Sequence, residues 1–141
     1  MDTVSVSRTI SGPPEPIRDA MHDTKAFLEA AGFKNVTVEE DRFSIEKDVG
    51  LLSINLKLRF VDRDAYRACE QVEGIFKSME TRYYVEPENG ETTVRAITEY
   101  ELDPDIVGPI LDDTIITRQR TKELEAQLDY LEEAAATANQ P

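Results

Sequence analysis

The chain has 141 residues and carries 29 acidic side chains against 16 basic ones, a formal net charge of −13 with a sequence pI near 4.4. That length suits one domain with a single core, and the charge weighs against nucleic acid and against anionic membrane surfaces, both of which are bound through Lys and Arg. Cys69 alone excludes an intramolecular disulfide and a thiolate zinc cluster, and with His22 the only histidine neither a metal nor any other cofactor is expected.

Thr3 to Ile10 alternates, with Val4, Val6 and Ile10 on one side, which predicts a half-buried strand. Gly12-Pro13-Pro14-Glu15-Pro16 stops it and opens a short helix whose apolar side is Ile17, Ala20 and Met21. Asp23 is placed to cap a second short helix carrying Ala26, Phe27, Ala30 and Ala31, which ends at Gly32.

From Asn35 the period is two for nearly seventy residues. Val36 and Val38 mark one strand, and Phe43, Ile45 and Val49 the next, with Gly50 in the turn that follows. Leu52, Ile54, Leu56, Leu58 and Phe60 then alternate with polar residues. Asp62-Arg63-Asp64 makes a turn, and a fifth strand runs from about Tyr66 to Glu73. A sixth takes in Met79, Thr81, Tyr83 and Val85. Pro87-Glu88-Asn89-Gly90 forms a hairpin, and a seventh strand sets Val94, Ala96, Thr98, Tyr100 and Leu102 on one face.

The longest helix is predicted from Pro109 to about Leu131, starting after Gly108 because proline suits a first turn. Its expected inner stripe is Val107, Ile110, Thr114, Thr117, Thr121, Leu124, Leu128 and Leu131, apolar at both ends with threonines in the middle. Thr matches Val in size but brings a hydroxyl that needs a partner. Either these threonines face a cavity, or each bonds back to its own helix and the stripe is ordinary core. Ile116 falls off the stripe. The domain is expected to span residues 1–133, with 134–141 a frayed tail.

Consecutive strands joined by short turns make an antiparallel sheet, and only the long helix is large enough to cover its face. This order, with Ser7-Arg8-Thr9-Ile10-Ser11-Gly12-Pro13-Pro14-Glu15 leading from strand to helix, resembles the START-like helix-grip superfamily, also called SRPBCC. Within it the chain is most similar to small polyketide cyclase/dehydrase-type proteins. The resemblance implies an α+β helix-grip fold: a seven-stranded curved antiparallel sheet wrapped around a long C-terminal helix, with two short helices between strands 1 and 2. It also implies a hydrophobic cavity between sheet and helix for a lipid-like or polyketide-like molecule. Combined with the strand faces, it nominates Leu56, Leu58, Met79, Thr81, Tyr83, Ala96, Thr98, Tyr100, Thr114, Thr117 and Thr121 as ligand-binding residues.

For catalysis the residues offer little. His22 reads as a solvated or capping residue, Cys69 as a small buried side chain on a strand, and Lys47, near a strand end, as one that snorkels outward. Glu70 is the one acid candidate. If Ala68, Glu70 and Val72 face the helix, a carboxylate enters an apolar cavity; if Cys69 and Gln71 do, Glu70 is a surface acid, the commoner fate of glutamate.

The acidity is spread along the chain, and lysine is scarce beside arginine. Such a surface suits a high-salt cytoplasm like that of a halophilic archaeon, where ions screen self-repulsion. The N-terminus has no basic or apolar run and no stretch approaches a membrane span, so the cytoplasm is the expected location, without membrane insertion. The function expected is binding of a small apolar or amphipathic molecule. The alternatives are a cyclase/dehydrase-type enzyme acting on such a ligand, and a protein-interaction module with a filled core that offers a sheet edge or Ile116 to a partner.

Overall fold

The computed structural model describes residues 1–105 and 112–138. The order is β1 (Asp2–Ser11), α1 (Glu15–His22), α2 (Thr24–Ala30), β2 (Lys34–Glu39), β3 (Arg42–Val49), β4 (Leu52–Val61), β5 (Arg67–Glu73), β6 (Phe76–Glu88), β7 (Glu91–Leu102) and α3 (Asp113–Ala138). The strands form one seven-stranded antiparallel sheet in the order β1-β7-β6-β5-β4-β3-β2. The helix pair carries the chain from one edge of the sheet to the other, and each later strand pairs with the one before it. This is the helix-grip architecture.

The alternation read from the sequence is the alternation of burial. Ile54, Leu56 and Leu58 of β4, Met79, Thr81, Tyr83 and Val85 of β6, and Val94, Ala96, Thr98 and Tyr100 of β7 all turn inward. Register aligns them: Met79 pairs with Tyr100, Thr81 with Thr98 and Tyr83 with Ala96, so one face of β6–β7 is a continuous inner wall. The hairpin between these strands closes on Asn89-Gly90, both at positive φ, as its two-residue turn requires.

The helix pair is held at its junction. Arg67 of β5 donates to the Met21 carbonyl at 2.7 Å and to the Thr24 hydroxyl at 3.0 Å, with its guanidinium 3.9 Å from the centre of the Phe60 ring. Asp23 occupies the cap position of α2, but its side chain makes no capping bond. On β1, Arg8 reaches α3 through Glu125 at 2.8 Å and through Asp129, tying the first strand to the last helix.

α3 departs from expectation at both ends and in its facing. Asp112 is its N-cap, accepting from the Ile115 amide at 3.0 Å. The expected start at Pro109, with Val107 and Ile110, lies outside the described residues. Nor does the helix fray after Glu133: it continues to Ala138 with Ala135 fully buried. The buried stripe is Ile116, Arg120, Glu123, Leu124, Gln127, Leu128, Leu131 and Ala135, rotated from the threonine stripe, so Thr114 is exposed and Ile116 is core. No described helix is long and apolar enough to cross a membrane.

Candidate functional site

Between the inner face of the sheet and α3 lies a cavity of about 30 Å³, room for about two waters. Phe33, Phe43, Ile45, Leu56 and Leu58 wall it on the side of β2–β4. Met79, Tyr83, Thr98 and Tyr100 wall it from β6 and β7, with Cys69 and Phe76 between, and α3 contributes Ile116, Arg120, Glu123 and Gln127. Of the nominated residues, Leu56, Leu58, Met79, Tyr83, Thr98 and Tyr100 line this space, while Thr81 and Ala96 are buried beside it.

The three helix threonines do not line it. Thr121 donates to the Thr117 carbonyl at 2.8 Å, a bond back to its own helix, and the Thr117 hydroxyl meets that of Tyr100 at 2.7 Å. Their place at the cavity is taken by charge. The Arg120 guanidinium is buried with an acceptor at every nitrogen: Nε to Thr98 Oγ1 at 2.9 Å, Nη2 to Thr81 Oγ1 at 3.0 Å and Nη1 to Glu123 Oε1 at 2.9 Å. Thr81 and Thr98 share a further bond at 2.8 Å. Thus the threonine pair of β6–β7 seats an arginine from α3.

Lys47 joins the same cluster from β3. It is 5% exposed, and its ammonium donates to Glu123 Oε2 at 3.0 Å. The outward snorkel is therefore wrong, because β3 turns Phe43, Ile45, Lys47 and Val49 to the core and Glu123 is there to receive the charge. Burial pushes the Lys47 ammonium below its ordinary value and Arg120 pushes the same way, while Glu123 opposes them. Tyr83 donates to Gln127 Oε1 at 2.7 Å, and burial lifts its hydroxyl to about 12. Burial likewise lifts the free Cys69 thiol to about 11, so it is an un-ionised wall residue at neutral pH.

Glu70 faces away from all of this. Cys69 and Gln71 turn inward, and Glu70 pairs on the outer face with Arg59 at 2.6 Å and Arg63 at 3.5 Å. It is not an acid in an apolar cavity. His22 is exposed, its Nε2 2.6 Å from the Tyr66 hydroxyl and remote from the cavity lining. Among the described residues no group of three or more His, Cys, Asp or Glu could hold a metal ion.

Sequence reasoning missed Lys47, Arg120, Glu123 and Gln127. A signal for three of them was present: Ile116, Arg120, Glu123, Gln127 and Leu131 recur at helical spacing, one stripe of α3 with apolar ends and a polar centre. Hydropathy assigns such charges to solvent, because a lone buried charge is costly and the partner at position 47 is remote in sequence.

A seven-stranded antiparallel sheet packed on a long C-terminal helix, with a mostly apolar cavity and a few convergent polar groups between them, defines the helix-grip fold. Solved structures share the fold. A START superfamily protein from Mycobacterium smegmatis matches with TM-score 0.71 and 15% identity over 97% of this chain and 99% of that one. The Zhui aromatase/cyclase from a Streptomyces species matches with TM-score 0.77 and 13% identity over 99% and 96%. Norcoclaurine synthase from Thalictrum matches with TM-score 0.71 and 14% identity over 99% and 96%. At these identities the likeness establishes the fold, and it lends the expected halophilic archaeal origin no support. No family model and no curated protein matches the chain.

Proposed function

We propose that the protein binds a small hydrophobic or amphipathic molecule in the cavity between the sheet and α3. The observation that carries this reading is the cavity itself: its walls are largely aliphatic and aromatic, and a few polar groups converge on it, Arg120, Glu123 and Gln127 from one stripe of the helix and Lys47 from β3. Leu56, Leu58, Met79, Tyr83, Thr98 and Tyr100 are the proposed ligand contacts, joined by Lys47 and Gln127. A space of about 30 Å³ holds water only, so entry of a ligand requires side chains such as Phe43, Phe76 or Met79 to move aside.

Intact mass under non-denaturing conditions, recorded beside the denatured mass on protein purified without detergent, tests this. A reproducible excess mass lost on denaturation is the expected result. No excess mass, together with no rise in unfolding temperature on adding apolar ligands, overturns the reading.

One observation favours a second reading, an enzyme of cyclase or dehydrase type. Ionisable groups stand in the cavity wall, and the Lys47–Glu123 pair could exchange a proton with a bound molecule where Glu70 cannot. Recovering an altered product from the bound fraction would support it. The interaction-module reading loses one of its anchors, since Ile116 is buried.

A further inference from the structure

We propose that the molecule taken by this cavity carries a carboxylate, seated against the ammonium of Lys47; this rests on the cavity being a ligand site. The argument begins with donors and acceptors. An ammonium has three N–H donors, and among the described residues Lys47 finds one acceptor, Glu123 Oε2; its other charged-group contact is the face of the Phe33 ring at 5.8 Å. Arg120 has no such spare capacity, because each of its nitrogens already has an acceptor. Glu123 is shared among Lys47, Arg120 and Gln119 at 3.0, 2.9 and 3.3 Å, and has little left to give.

Charge leads to the same group. Lys47, Arg120 and Glu123 line the cavity as two cations and one anion, and Cys69, Tyr83 and Tyr100 in the same lining are neutral at neutral pH. The cavity thus holds a surplus of one positive charge inside a chain whose net charge is −13. A surplus charge in a water-poor site is costly until something of opposite sign arrives. A carboxylate supplies that sign together with oxygens for the free Lys47 donors, and its hydrocarbon portion lies against Phe43, Leu56 and Leu58. A neutral alcohol of the same length supplies neither the charge nor the second oxygen.

Titration calorimetry on the full chain with octanoate and with 1-octanol tests the proposal, and 2-naphthoate with 2-naphthalenemethanol repeats it for a ring. The carboxylate of each pair is expected to bind about tenfold or more tightly than the alcohol. Lys47→Met is expected to abolish that preference while still binding the alcohol. If the alcohols bind as well as the carboxylates, the head-group inference is overturned and the cavity reading stands. If none of the four probes binds, both fall. The comparison on the unaltered chain decides the matter even where Lys47→Met fails to fold.

Discussion

Two sets of ion pairs are built from the same chemistry on opposite faces of one sheet. On the outer face, Arg59, Arg63 and Arg82 knit Glu70, Glu80 and Glu99 together at 2.5 to 3.5 Å, with every side chain at least 21% exposed. On the inner face, Lys47, Glu123 and Arg120 make pairs at 2.9 and 3.0 Å with side chains 11% exposed or less. The distances overlap, but the surroundings do not. Water screens the outer pairs, whereas the inner three charges depend on one another and on Thr81, Thr98 and Gln119 for everything that water would have supplied. Position relative to the sheet decides which pairs can matter to function.

The sharpest way to break this contrast is Glu123→Ala, which strands two buried cations. It is expected to cost about 3–5 kcal/mol in denaturant unfolding. A cost near 1 kcal/mol would mean that the inner cluster is as solvated as the outer one.

Alkaline pH comes next. Burial holds the thiol of Cys69 up to about 11 and the hydroxyl of Tyr83 up to about 12, against ordinary values of 9.0 and 10.0. The native state therefore keeps protons that the unfolded chain releases, so this stabilisation is whole below pH 9 and is lost as pH rises from about 9 to about 12. Lys47 has the opposite sign. Its folded value lies below 10.5, so the unfolded chain holds that proton longer and stability rises with pH toward 10.5. In Lys47→Met the alkaline loss should therefore set in earlier, as followed by circular dichroism; an unchanged profile would show that Lys47 is not desolvated.

Potassium chloride separates the two sets by screening. The unfolding temperature should rise between low and molar KCl as the self-repulsion of a −13 chain is screened. The cost of Glu123→Ala should stay the same across that range, because the inner charges lie beyond the reach of screening ions. A flat salt response would remove the high-salt reading of the surface. The smallest effect belongs to Glu70→Gln, expected to cost less than about 1 kcal/mol and to leave ligand affinity unchanged. A loss of affinity there would return Glu70 to the candidate site.

How much of this was legible in the sequence differs between sheet and helix. The order and faces of the strands follow from local rules: alternation in Leu52–Phe60 and Glu91–Leu102, and Asn89-Gly90 at a turn that needs two positive φ values. Six of the residues that wall the cavity, Leu56, Leu58, Met79, Tyr83, Thr98 and Tyr100, were thereby placed on the inward face by sequence alone. The facing of β5 was not legible, because the adjacent Ala68 and Cys69 are both buried, which breaks the period of two.

The facing of α3 was misread for a different reason. Its sequence offers two stripes, one of Thr114, Thr117 and Thr121 and one of Arg120, Glu123 and Gln127, each with an isoleucine before it and a leucine after it. Transfer free energy alone prefers threonine inside, and the outcome reverses only because Thr81, Thr98, Tyr83 and Lys47 stand ready on four different strand positions to satisfy the polar groups. Periodicity is a property of neighbours in sequence, so the sequence by itself determined the strands, the hairpin and the presence of a covering helix. Which face of that helix turns inward depends on partners brought together only by folding, and that choice, with the charge of the cavity that follows from it, belonged to the tertiary structure.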